Sequence, residues 1–346
     1  MTMAEQTDGA AATRTAGASE TRPTSPGPTE STPSRGPGPT PLPTRGSKTL
    51  RLLVAALDAR GIPYERFGAA AMAARGAGAQ PAVGFVVDDV HVFVTSYVRV
   101  YVADERSPND PKPRLLNGLA SKLFKDKSLT SAIVGGAGLP TPAQYKIADG
   151  ERVNLRHVFK GLSAAAPQGL VVKPNRGRRG NHVYLAITTL QAFREAVAAA
   201  MTAGGAVVVE PMVPGRVFRF YVVDGSVVAV RYGVSASGHS NRHQGARVIN
   251  ATNSVHASYR VVAEGAVAQF PGTFVAGVDV AIPDPEVPAR LGPEPNCNVI
   301  EINGAPGFIA HHVPDEGESV DVAGRIADAL LAQFAAGVPI GPAVRP

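Results

Sequence analysis

The chain has no tryptophan, a single cysteine and only 6% aromatic residues. Cys297 alone excludes an intrachain disulfide framework and cannot build a thiolate metal site. A reducing, cytoplasmic compartment is the expectation. With so few aromatics, the core has to be made of Ala, Val, Leu and Ile, and the 44% apolar content is enough to build one. No apolar run approaches the ~18 residues of a membrane span, and the N-terminus lacks the apolar centre of a signal peptide. Basic runs interleaved with aromatics are also missing, which argues against a nucleic-acid partner. The net charge of +6 is modest; it reads as ordinary surface charge or as a cleft that attracts phosphates and carboxylates. Neither a Walker A loop nor a Rossmann fingerprint is present. His239, His243, His256, His311 and His312 lack the spacing of zinc ligands.

Residues 1–46 are rich in Pro, Thr, Ser and Gly, with eight prolines between Pro23 and Pro43. Such a tail cannot offset the entropy of folding and is expected to be disordered. Leu50, Leu53, Val54 and Leu57 have helical spacing. Val83–Val87 and Val90–Val94 flank Asp88-Asp89 as a hairpin, with Tyr97–Val102 as a further strand. Residues 47–115 thus read as a small α/β unit. Leu119–Gly136 reads as one helix. Strands follow at Gly169–Pro174 and Ala206–Glu210, with a helix over Thr189–Met201 between them. Phe218–Val223 and Val227–Arg231 form a hairpin around Asp224-Gly225. Helices are expected at Val255–Gln269 and Val322–Phe334, the latter capped near Ser319 or Asp321. The class is α+β with sizeable antiparallel sheets.

The most informative segment is Asn298-Val-Ile-Glu-Ile-Asn-Gly-Ala-Pro-Gly307. On a strand, Glu301 and Asn303 project from one face. Upstream, Gly277-Val-Asp-Val280 is a second apolar run with one acid, Asp279. Two like charges about 4 Å apart repel by roughly 4 kcal/mol at an effective dielectric near 20. A divalent cation removes that penalty, and two carboxylates with an amide oxygen suit magnesium. Lys173 ends an apolar strand and leads into Asn175-Arg-Gly-Arg-Arg-Gly180. Glycines let such a loop approach phosphates with its N–H groups, and the arginines add charge-assisted donors. Glu210 ends Val207-Val-Val-Glu210, where a carboxylate can accept from an adenine amino group. Lys127 precedes the turn Gly138-Leu-Pro140.

In this order, these elements resemble the ATP-grasp superfamily. Within it they are most similar to carboxylate–amine ligases: the cyanophycin synthetase ATP-grasp domain, ribosomal S6 glutamate ligases, glutathione synthetase and D-alanine–D-alanine ligase. The resemblance spans roughly residues 115–335. It implies an ATP-grasp domain over 116–338, with a lid subdomain at about 140–212 and a metal-binding subdomain at about 213–338. By position, Lys127 and Lys173 resemble the two ATP lysines. Arg176, Gly177 and Gly180 resemble the phosphate loop, and Glu210 and Val213 the adenine segment. Arg219 matches the arginine of the D-x-R element. The stretch from Arg231 to Arg247 resembles the R-x-N-x-x-x-G-G-x loop, with Asn241, Gly245 and Arg247 in register. Asp279, Glu301 and Asn303 match the magnesium ligands. Three positions depart from the pattern. Val217 stands where relatives keep a ribose-binding acid and His239 where the loop has arginine. Gly277 stands where D-alanine ligases place an arginine.

The resemblance implies an ATP-dependent carboxylate–amine ligase that works through an acylphosphate on an amino acid or short peptide. ATP and Mg2+, or Mn2+ in its place, would be its cofactors, and a homo-oligomer is compatible with it. Arg219 and Arg231 are suited to a substrate carboxylate, and Asn241 and Arg247 to the oxyanion of a tetrahedral intermediate. His311 and His312 follow the metal strand, within reach of an acceptor pocket. An ATP-grasp kinase of a hydroxylated substrate and a non-catalytic nucleotide-binding module are the alternatives.

Overall fold

The computed structural model describes residues 47–104, 112–177, 180–235 and 245–335. The tail 1–46 lies outside them, as do Arg178, Arg179, His239, Asn241 and His243. Helix α1 (Lys48–Asp58) buries Leu50, Leu53, Val54 and Leu57, the stripe its spacing predicts. An antiparallel sheet follows: β1 (Glu65–Phe67), β2 (Ala82–Val87), β3 (Val90–Thr95), β4 (Val100–Asp104) and β5 (Arg114–Leu115), in sequential order. A short helix, α2 (Ala69–Ala74), links the first two strands. Asp88 and Asp89 both adopt positive φ, 43° and 67°, as a two-residue hairpin turn requires.

The helix expected over Leu119–Gly136 is two: α3 (Gly118–Leu123) and α4 (Lys127–Gly136). The break is set by Asp126, which caps α4 by accepting the Leu129 N–H at 3.0 Å. Helical periodicity runs through this break, so spacing alone does not reveal it.

A second sheet has the order β6-β9-β7-β8 and is antiparallel throughout. Its strands are β6 (Tyr145–Ile147), β7 (Leu170–Pro174), β8 (Tyr184–Ile187) and β9 (Val207–Pro211). Helices α5 (Leu155–Ser163) and α6 (Leu190–Gly204) pack on it through Val158, Phe193, Val197 and Ala200. Thr189 caps α6 by accepting the Ala192 N–H. Strands β6 and β8 and helix α5 are too short or too polar to stand out in the sequence.

The third sheet has the order β12-β11-β10-β13-β14. It comprises β10 (Arg216–Val223), β11 (Ser226–Val234), β12 (Arg247–Asn250), β13 (Val275–Ile282) and β14 (Asn298–Asn303). One face, with Phe218, Phe220, Val230, Val278 and Ile302, packs under α7 (Ser258–Ala268). Helix α7 starts three residues later than Val255 because His256 Nδ1 accepts the Ser258 N–H there. The opposite face is divided. At one end Tyr221, Val223, Ala229 and Val275 share a core with α1, β2, β3 and, following the short α8 (Ile309–His312), α9 (Val322–Ala335). The first sheet is therefore joined to the third by a continuous apolar cluster. Asp321 caps α9, accepting the Gly324 N–H at 2.9 Å. The Pro-rich segment between β13 and β14 connects an antiparallel pair and is pinned to α7 by Tyr259, Ser258 and the chain at His256.

One buried side chain joins three segments. The Asn117 amide, 4% exposed, donates to Val275 O at 2.5 Å and Gly304 O at 2.9 Å. Its oxygen accepts the Phe274 and Val275 N–H groups at 2.7 and 3.2 Å. The start of α3, the start of β13 and the segment after β14 thus converge on one amide. Removing it strands several buried polar groups at about 1–3 kcal/mol each. Asn117→Ala should lower unfolding free energy by about 3 kcal/mol in urea titration. Asn117→Asp, which loses both donors, should also be destabilised.

Candidate functional site

The polar half of the third sheet carries one transverse row. Arg231 is register partner of Asn250 on one side and of Arg219 on the other. Arg219 in turn faces Asp279, and Asp279 faces Glu301. Register partners share a face, so Asn250, Arg231, Arg219, Asp279 and Glu301 stand side by side across all five strands. Asn303, two residues beyond Glu301, joins them and is the partner of Gly277. All six polar residues are half-buried.

Charges in the row are matched closely. Arg219 grips Asp279 with both ends of its fork, Nε–Oδ1 at 2.7 Å and Nη2–Oδ2 at 2.5 Å. Burial opposes the guanidinium charge, but the Asp279 carboxylate and its hydrogen bonds raise the Arg219 pKa, with help from Glu301. The Asn303 Nδ2 is buried without a hydrogen-bond partner. Amide nitrogen and oxygen exchange places by a half-turn, so this orphaned group can present an oxygen beside two carboxylates. Two carboxylates and an amide make a hard, all-oxygen donor set, which fits magnesium. Among the described residues no cluster of three or more His, Cys, Asp and Glu offers a different metal site.

The lysines approach from other elements. Lys127 opens α4 and is 8% exposed; its Nζ is 3.6 Å from Glu301 Oε1 and 3.4 Å from Gly177 O. One ammonium therefore touches both strand β14 and the glycine loop. Asn175 holds this junction. Its carbonyl accepts the Lys127 N–H at 3.2 Å, its Oδ1 accepts the Ser128 N–H at 2.9 Å, and its own N–H donates to Ala206 O at 2.8 Å. Arg176, largely exposed, reaches Asp126 at 3.8 Å. Although burial pushes the Asp126 carboxyl up, hydrogen bonds from Leu129, Asn175 and Ser128, with Lys146 nearby, hold it below its usual range. Gly180 has φ 72°. Gly204, at the end of α6, lies where a Cβ would be 2.6 Å from Arg176 O and 2.7 Å from Pro174 Cβ, so the base of the loop rests directly on that helix.

Lys173 and Glu210 form a buried pair at 2.6 Å, both under 6% exposed. The second Glu210 oxygen accepts from Gln144 Nε2 at 2.9 Å. Both carboxylate oxygens, the proposed adenine acceptors, are thus engaged within the sheet. Val213 follows β9, half-buried. Arg247 sits on the alternate parity of β12, register partner of Val234, and pairs with Glu316 at 2.5 Å. The structure therefore brings together Lys127, Gly177, Arg219, Arg231, Asp279, Glu301 and Asn303, and a second group of Lys173 and Glu210. It directs Arg247 to Glu316. Asn241 lies outside the described residues. Gly277 has a spatial reason: a Cβ there would meet Pro306 Cβ at 2.9 Å and Arg219 Cδ at 3.5 Å.

Asn117, Asp126, Gln144 and Asn175 were given no role in the sequence reading, because each acts through specific hydrogen bonds rather than through a spacing. Cys297 is buried, and burial pushes its thiol up to about 11, which removes it as a nucleophile.

No family model matches the chain. Curated relatives do. Cyanophycin synthetase of Trichormus variabilis is 24% identical over 287 residues, covering 64% of this chain and 31% of that protein. The glutathione biosynthesis bifunctional protein GshAB of Streptococcus thermophilus is 22% identical over 277 residues, covering 61% and 36%. The chain thus spans about a third of the length of these relatives. Among solved structures, a bifunctional glutathione synthetase from Pasteurella multocida superposes with a TM-score of 0.55 at 18% identity, over 82% of this chain and 43% of that one. The fold is the ATP-grasp fold. Cyanophycin synthetases and the bifunctional GshAB proteins are its relatives.

His311 lies at the boundary between the polar row and the apolar core. It is 2% exposed, with its ring 5.5 Å from Tyr221. Burial, then the Arg231 and Arg219 charges, hold it well below its usual value near 6.5. The folded chain keeps this imidazole neutral where the unfolded chain protonates it. Its contribution is therefore present above about pH 6.5 and is lost as pH falls toward the folded value. Thermal melts should show a lower midpoint at pH 5.5 than at 7.5, and His311→Leu should flatten that dependence.

Proposed function

We propose that the protein is an ATP-dependent ligase that joins a carboxylate to an amine through an acylphosphate, with an amino acid or short peptide among its substrates. The observation that carries this reading is the position of Lys127. Residues 127, 177 and 301, remote in sequence, meet within 3.6 Å of one ammonium. That is the arrangement needed to hold a triphosphate between a glycine loop and a metal-ligating strand.

In this reading Asp279, Glu301 and Asn303 would hold magnesium, which would supply positive charge to offset that of the phosphates. Lys127 and Lys173 neutralise the rest of the phosphate chain. The loop of Arg176, Gly177 and Gly180 covers it and excludes water, since an acylphosphate exposed to solvent would hydrolyse. Arg231 orients a substrate carboxylate bidentately, while the fork of Arg219 is held by Asp279. An amine then attacks the acylphosphate carbonyl, the phosphate leaves, and the amide forms, with Asn241 proposed to steady the oxyanion. Arg247 would have to leave Glu316 to share that task. Glu210 and Val213 line the adenine end. No side-chain nucleophile is required, in keeping with the inert Cys297.

The test is ADP release with Mg2+ and ATP across a panel of amino acids and short peptides, with mass spectrometry of the products. An amide product formed together with ADP is the expected outcome. A phosphorylated alcohol, or no ADP with any substrate, would refute the ligase reading. Asp279→Asn should reduce ADP release by about 100-fold or more, the kinetic equivalent of losing several kcal/mol of charge stabilisation.

A further inference from the structure

Each acid of the row is held by a cation, but not equally. Lys127 stands 3.6 Å from Glu301, a loose contact that leaves the carboxylate free to turn. Arg219 takes both oxygens of Asp279, at 2.7 and 2.5 Å, in the fork geometry that makes arginine–carboxylate pairs strong. The two residues are register partners on adjacent strands, so sheet pairing itself holds the pair in place. The arginine stem passes Gly277, where its Cδ lies 3.5 Å from the place a Cβ would take, an ordinary contact. The guanidinium is therefore committed to Asp279 by the backbone around it.

We propose that Arg219 is the resident counter-ion of Asp279, so that a divalent cation reaches this carboxylate only when an anionic phosphate chain takes over the guanidinium. This role rests on the metal site of the ligase reading and adds to it an order of dependence between metal and nucleotide.

The charge balance explains why. The two pairs, Lys127 with Glu301 and Arg219 with Asp279, sum to zero, and Arg231 beside them adds a further positive charge. A divalent cation entering alone would add two more positive charges and release Arg219 from the acid it grips. The phosphates of a nucleotide reverse that excess and offer the fork an equivalent partner. Metal and nucleotide therefore favour one another, and the coupling is reciprocal. Arg219 acts here as a positioning residue: in the absence of phosphate it keeps Asp279 closed to cations.

The test is Mn2+ binding by the full chain, followed by the electron paramagnetic resonance of free Mn2+, with and without ADP. Without nucleotide, Arg219→Gln should bind Mn2+ at least ten-fold more tightly than the unaltered protein. Arg219→Lys, which keeps the charge but loses the fork, should fall between the two. Adding Asp279→Asn to Arg219→Gln should abolish the gain. The increase in Mn2+ affinity brought by ADP should be smaller in Arg219→Gln; the Mn2+–ADP complex of free solution is common to both proteins and cancels. If Arg219→Gln and Arg219→Lys both fold, by circular dichroism, yet bind Mn2+ no more tightly than the unaltered protein, the counter-ion role is wrong while the metal site stands. If the unaltered protein fails to bind Mn2+ even with ADP, the metal site and the role built on it fall together.

Discussion

Antiparallel pairing in the third sheet is the constraint on which the site depends. Asp279 and Glu301 are brought opposite one another by strand register, and the same register sets Arg219 beside Asp279 and Arg231 beside Arg219. A one-residue slip of β14 would turn Glu301 and Asn303 to the α7 face and bury Ile302 among charges. The apolar residues alternating with them prevent that slip, because Phe218, Phe220, Val278 and Ile302 must all reach the core under α7. Hydrophobic burial thus fixes the geometry of a charged site. The irregularity between Asp279 and Val280 falls immediately after the acid pair, where the strands leave the site.

Much of this was legible in the sequence, because the signals are local. The spacing of Glu301 and Asn303 announces a shared face, and the acid in Val278-Asp-Val280 announces a second strand with a charge in an apolar run. The hairpin at Asp224-Gly225 and the stripes of α1, α6 and α9 are equally plain. What was hidden depends on contacts between distant segments. The division of α3 from α4 is decided by an Asp126 cap and by Asn175 across the cleft. The pairing of Arg247 with Glu316, and of Glu210 with Lys173 and Gln144, follows from which strands become neighbours. The departure at Gly277 was visible as a letter, but its reason is three-dimensional: Pro306 and Arg219 fill the space that a side chain would need.

The site is built from cations and acids that already satisfy one another. Buried charges without partners are costly, and removing one member of a buried pair is strongly destabilising. Lys173 with Glu210 and Arg219 with Asp279 meet that requirement within the chain itself. A bound nucleotide and its metal would have to match those internal partners, so affinity at this site is a difference between two sets of charge contacts rather than a sum of new ones.

Asn175 has a further consequence. With its backbone hydrogen-bonded to Ala206 and its carbonyl and side chain to the first turn of α4, it splices the second sheet to the helix that carries Lys127. Lys127 and Lys173 lie 46 residues apart in the chain, yet this splice, together with the Lys127 contact to Gly177 and the Arg176 contact to Asp126, ties the elements that carry them. Movement of the strand end at Asn175 is thereby coupled to the first turn of α4.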